Sequence, residues 1–180
     1  MSHETPSPRV ESHETTGFLE RTFAEHHAPL LRYATRLFSG DVDRARDAVQ
    51  DTFVKLMAQP SAAVADHAAE WLFTVCRNRA MDVLRKEKRM AKLTQAAPPE
   101  RPAVEPPPGE ALERRETLSQ VVGWLDNLPP NQREVIRLRF QNGFSYKEIS
   151  RISGHSVANV GYLLHAGMKS LRGRMAEAQI

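Results

Sequence analysis

Residues 128–174 read LPPNQREVIRLRFQNGFSYKEISRISGHSVANVGYLLHAGMKSLRGR, and this stretch decides the fold of the C-terminal part of the chain. It opens on Leu128-Pro129-Pro130, where Pro130 suits the first position of a helix because its missing N–H would lack an intrahelical partner there. The pattern predicts a helix from Asn131 to Gln141, stopped by Asn142-Gly143. Ser145 is placed to cap a second short helix that carries Ile149 and Ile152 on one face. Gly154-His155-Ser156 supplies a tight turn. A third helix follows, with Val157, Val160, Leu164, Met168 and Leu171 spaced as one buried stripe. Two short helices joined by a glycine-containing turn, the second longer and basic toward its end, match the helix-turn-helix arrangement that places its second helix in the DNA major groove.

A plain helical bundle would account for the apolar stripes, but not for the charge. Arg133, Arg137, Arg139, Lys147, Arg151, Lys169, Arg172 and Arg174 stand against only Glu134, Glu148 and Glu177. Such an imbalance suits a polyanion. Over the whole chain of 180 residues the net charge is only +3, because the charge is blocked. Met1 to Pro29 carries five glutamates against Arg9 and Arg21, while Trp71 to Gln95 carries seven basic residues against Asp82 and Glu87.

Between the two basic blocks lies Ala96 to Glu110, which holds six of the twelve prolines and almost no large apolar side chains. It cannot form a core element, and if extended it spans roughly 45 Å at the polyproline rise. The chain therefore reads as all-α, two helical domains joined by a proline-rich linker: a disordered tail over 1–16, a first domain over 17–95, the linker over 96–110 and a second domain over 111–180. In the first domain a helical pattern starts at Thr16 or Gly17, with Pro29 expected to kink or divide it, and ends at Gly40-Asp41. Val42 to Met57 reads as a helix with Ala45, Val49, Phe53 and Leu56 as its apolar set. Gln59 to Glu70 reads as a loop. A long helix then begins near Asp66 or His67, carries Leu72, Val75, Met81 and Leu84, and dissolves in the basic run Arg85 to Arg89.

Other function classes find little support. The single cysteine, Cys76, excludes an internal disulfide framework. Neither a signal-peptide core nor a run near the ~20 apolar residues of a membrane span is present, which points to a cytoplasmic protein without membrane insertion. Gly161 to Ser170 superficially follows a phosphate-binding loop, but its glycine spacing is one too long and Met168 intervenes before Lys169. His26 and His27 point to different faces of a helix, and Cys76 has no partner at ligand spacing, so neither a metal nor another cofactor is expected. No catalytic set can be assembled.

The run Gly40 to Leu56, GDVDRARDAVQDTFVKL, followed by Trp71-Leu72-Phe73 and by Arg77-Asn78 through Asp82, Leu84 and Arg85, resembles region two of bacterial RNA polymerase sigma factors. The C-terminal stretch resembles their region four. With only these two regions and a short linker, the chain resembles the extracytoplasmic-function (ECF) class of the sigma-70 family, over roughly Phe18 to Arg89 and Leu112 to Met175. That resemblance implies a transcription-initiation factor rather than an enzyme. Its implied partners are core RNA polymerase, through the largest subunit's clamp helices and the second-largest subunit's flap, promoter DNA, and an anti-sigma factor.

The resemblance also implies roles for residues. The helix matching Asp47 to Met57 is the polymerase-docking one, where Asp47, Gln50, Asp51 and Lys55 cluster away from the apolar set. Arg44 and Arg46 stand where acidic residues are usual. Trp71 to Arg89 resembles the part that opens DNA at the −10 element, with Arg77, Asn78, Arg85, Lys86, Lys88 and Arg89 offering donors to phosphates and bases. In the family the preceding loop receives a flipped base. Trp71 and Phe73, which have the chemistry to stack on bases, read better as core. At the −35 element the readers are Ser156, Ala158, Asn159 and Tyr162, with His165, Lys169 and Arg172 toward the backbone; Asn159 suits adenine. Family members usually carry basic residues at the positions of Gly161 and Leu163 and around Ala166 and Gly167. The departure implies a weaker −35 contact, or one that leans on Tyr162, Arg137, Arg139 and Arg151. The rival reading is a helix-turn-helix regulator that binds duplex DNA without polymerase.

Overall fold

In the computed structural model, residues 8–94 and 122–178 are described, with side chains over 15–91 and 122–178. Residues 1–7, the proline-rich linker and the start of the second domain lie outside them. The described residues are helical with no strand and fall into two compact units.

The first unit is built from α1 (Pro8–Leu37), α2 (Val42–Met57), a short α3 (Ser61–Val64) and α4 (Ala68–Thr94). Helix α1 begins at Pro8, earlier than the apolar pattern predicts, so most of the expected tail is helical. It also runs through Pro29 without a break. An interior proline costs about 3 kcal/mol. Leu30, Tyr33 and Ala34 follow immediately and are buried. Burying large side chains such as Leu30 and Tyr33 stabilises by about 1.5–3 kcal/mol each, enough to hold the turn helical. The helix ends in a Schellman motif: Gly40 N–H donates to the Thr35 carbonyl (2.8 Å) and Ser39 N–H to that of Arg36 (3.3 Å). Ser39 occupies the left-handed position at φ 58, a place glycine usually takes.

Asp41 then caps α2 by accepting from Arg44 N–H at 3.1 Å. Ala45, Val49 and Leu56 are buried as the spacing predicts, as are Leu72, Phe73, Cys76 and Ala80 of α4, the helix that packs against α2. Phe53 is only half-buried. The expected loop over Gln59 to Glu70 is mostly α3 and a 3₁₀ turn at Ala65–His67. Helix α4 continues to Thr94 through the basic run, where the sequence suggested it would dissolve. Lysine and arginine are good helix formers, and two ion pairs offset the local repulsion: Arg85 with Asp82, and Glu87 with Arg44 of α2 at 2.7 Å.

In the second unit, residues 122–126 are helical, followed by α5 (Pro130–Phe140), α6 (Tyr146–Ser153) and α7 (Val157–Glu177). Pro130 opens α5. Ser145 and Glu148 form a reciprocal capping box on α6, and Gly154 ends that helix at φ 75. The core joins Val135, Ile136 and Leu138 of α5 to Ile149 and Ile152 of α6 and to Val160, Leu163, Leu164 and Leu171 of α7. The buried stripe differs from the one read in the sequence at three places, one of them Met168, which is only half-buried. Val157 is 45% exposed, and Leu163 takes its place inside.

Candidate partner and nucleic-acid interfaces

On α2, Asp47, Gln50 and Lys55 are exposed and Asp51 is half-buried. Helical spacing puts Asp47, Gln50 and Asp51 on one outward face, with Lys55 at its edge. The Asp51 carboxylate is not free on that face, because Arg79 of α4 donates to it through Nε at 2.7 Å. Arg44 and Arg46 also have local partners: Arg44 bridges Asp41 at 3.0 Å and Glu87 at 2.7 Å, and Arg46 pairs with Asp43 at 3.1 Å. Their positive charge at usually acidic positions is therefore balanced within the domain.

The sequence reading missed the apolar part of this surface. Val54 is 58% exposed and Met57 is 68% exposed. Together with Phe53 and with Leu19, Phe23 and His27 of α1 they line an open groove of about 690 Å³. Phe23 stacks on His27 at 4.6 Å and tilts against Phe53 at 4.9 Å. Phe53 read as core because its spacing fits the buried stripe; only the crossing of α1 over α2 shows that it faces a groove.

Along α4, Asn78, Arg85 and Arg89 are exposed at i, i+7 and i+11, on the side opposite Leu72, Phe73 and Cys76. Lys86 and Lys88 are exposed beside them, and Arg77 is half-buried. Arg85 donates to the Met81 carbonyl at 3.3 Å as well as pairing with Asp82. Phe73 is core, 5.0 Å from the Tyr33 ring, whereas Trp71 is half-buried. Cys76 is buried beside Thr52, and burial pushes its thiol up to about 12, so it offers no nucleophile.

In the second unit, Ala158, Tyr162, His165 and Lys169 are exposed at i, i+4, i+7 and i+11 and form the outward face of α7, with Arg172 exposed at its far end. Tyr162 is 68% exposed. Ser156 caps the helix by accepting from Asn159 N–H at 3.2 Å, which ties its hydroxyl to the helix start. Asn159 stands half-exposed at the edge of the face.

The geometry also accounts for the missing basic residues. Leu163 and Gly167 are buried, so neither position lies on the exposed face of α7. A Cβ on Gly167 would lie 2.6 Å from Ile136 Cδ1 and 3.4 Å from Gln132 Cβ, so glycine lets α7 approach α5 closely. Gly161 is different, with Tyr146 Cε2 at an ordinary 3.7 Å from its would-be Cβ. The supporting arginines do not act as one set. Arg137 is only 11% exposed and binds Asp126 at 2.7 Å, so its guanidinium is engaged within the unit. Arg139 donates to the Phe144 carbonyl at 3.0 Å and lies 5.7 Å from the Tyr146 ring. Arg151 is exposed on α6.

Among the described residues no helix is long and apolar enough to cross a membrane, and no group of three His, Cys, Asp or Glu is placed to hold a metal ion.

Two family models match, sigma-70 region 2 over residues 22–90 and sigma-70 region 4 over residues 120–171. The chain is 32% identical over 133 residues to the ECF RNA polymerase sigma factor EcfG of Rhodopseudomonas palustris, covering 73% of this chain and 71% of that protein. It is 31% identical to the ECF RNA polymerase sigma factor SigL of Mycobacterium tuberculosis, over 83% of this chain and 84% of the relative. A solved structure of the sigma factor RpoE with the anti-sigma factor NepR from Bartonella quintana superposes with a TM-score of 0.67 at 26% identity, over 86% of this chain and 94% of that one. With regions 2 and 4 present in order and these relatives matched over most of their length, the chain belongs to the ECF sigma factors of the sigma-70 family.

Proposed function

We propose that this sigma factor binds core RNA polymerase in the cytoplasm through the outward face of α2, recognises −10 and −35 promoter elements, and helps to melt DNA at −10. Catalysis belongs to the polymerase. The observation that carries this reading is the pairing of two helical units, each with its own exposed basic surface, on α4 and on α7.

In this reading Asp47, Gln50, Asp51 and Lys55 contact the clamp helices of the largest subunit, with Val54 and Met57 as the apolar part of the contact. Asn78, Arg85, Lys86, Lys88 and Arg89, with Arg77 behind them, hold −10 DNA. Ala158, Asn159 and Tyr162 face −35 base edges, His165, Lys169 and Arg172 lie along the backbone, and Ser156 positions the helix that presents them. The second unit also meets the second-largest subunit's flap. An anti-sigma factor is the proposed inhibitor, supported by the similarity to a sigma factor solved with one.

Gel shifts of the full chain on promoter fragments, with and without core polymerase, test the assignment. A sigma factor gives specific retention and run-off transcripts only with core. Specific duplex binding by the chain alone, unchanged by core, would instead make it a self-sufficient helix-turn-helix regulator.

A further inference from the structure

Resting on the −35 assignment, we propose that α7 reads a run of A·T base pairs, with Asn159 on an adenine edge, Val157, Ala158 and Tyr162 against thymine methyl groups, and no side chain that reads guanine.

The base-facing turns of a recognition helix are its first two, and in α7 these expose Val157, Ala158 and Tyr162, with Asn159 half-exposed beside them. Val160, Leu163 and Leu164 are committed to the core behind them. The Asn159 backbone N–H is held by Ser156, so the carboxamide is presented from a fixed helix start. A carboxamide matches the N6 donor and N7 acceptor of adenine, and apolar side chains match the C5 methyl of thymine.

Guanine is read by the paired donors of arginine or lysine. The first such side chain on α7 is Lys169, ten residues beyond Asn159 and so about 15 Å along the helix, past the base-facing turns. Arg137 is bound to Asp126, and Arg139 donates to the Phe144 carbonyl. His165 sits about 10 Å along the axis from Ala158, beyond the first two turns, and is assigned to the DNA backbone. Lys147, Arg151, Lys169 and Arg172 are exposed and supply charge without sequence information.

The test uses holoenzyme assembled from the full chain and core polymerase, and a promoter library with a constant −10 region and a randomised upstream element. A·T pairs should be enriched across the positions under α7. Replacing an enriched A·T by hypoxanthine·C, which alters the major-groove edge while keeping the minor-groove pattern, should weaken retention about tenfold at the Asn159 position. Thymine to uracil should cost about fourfold at the methyl-contact positions, the value of one buried methyl group. Tyr162→Ala, at an exposed side chain, should abolish the thymine-over-uracil preference at one position. Enrichment of adjacent G·C pairs, or uracil tolerated everywhere, overturns the A·T reading while leaving −35 recognition in place. No preference anywhere in the window, with −10 selection intact, overturns −35 recognition as well.

Discussion

At the residue scale, small side chains carry much of the geometry. Ser39 holds a left-handed conformation that costs a non-glycine residue about 1–2 kcal/mol. Ser39→Gly should therefore raise the stability of the full chain by about 1 kcal/mol in urea denaturation, the strain relieved outweighing the extra freedom of the unfolded chain. Gly167 and Gly161 look alike in the sequence, and the packing separates them. A basic residue introduced by Gly167→Arg forces a side chain against Ile136 and Gln132 and should destabilise by about 2 kcal/mol or more. Gly161→Arg, with only Tyr146 in contact, should leave the melting temperature nearly unchanged and raise DNA affinity at low salt. A similar loss of stability in both variants would contradict the packing described for α5 and α7.

At the element scale, the helix-turn-helix was legible because its signals are local. Pro130, Ser145, Gly154 and Ser156 each act on the helix end beside them, and each boundary falls within a residue of where they place it. The capping box adds a pH dependence. The hydrogen bonds from Ser145 hold the Glu148 carboxyl below its usual value of 4.5. A depressed carboxylate stabilises fully above that usual value, and the contribution is lost as pH falls through the lower value in the folded protein. Ser145→Ala should cost about 1 kcal/mol near neutral pH. In thermal melts the gap to the unaltered protein should narrow as pH drops below about 4. What the sequence hid is non-local: Arg79 reaching Asp51, Glu87 reaching Arg44, and Phe23 crossing Phe53 to shape the groove. No spacing rule within one helix predicts a partner twenty-eight or forty-three residues away. The α2 face is tested by two changes. Arg79→Gln removes a half-exposed ion pair and should alter stability by no more than about 1 kcal/mol while core binding persists. Asp51→Lys should weaken co-elution with core polymerase, and unchanged co-elution would take Asp51 out of that interface.

At the scale of the whole molecule, the proposed function gives each unit one part of promoter recognition. In the proposed reading the basic side chains on α4 and α7 supply affinity that any DNA shares, and the groove beside α2 exposes apolar surface that none of the described residues covers. Such a division fits a subunit that acquires specificity on assembly. The most direct measurement is run-off transcription on genomic promoter fragments with purified chain, purified core polymerase, or both, alongside gel shifts of the same mixtures. Accurate, salt-sensitive initiation that requires both components, with no specific retention by the chain alone, is the predicted result. Specific retention by the chain alone together with no start-site selection when core is added would contradict it.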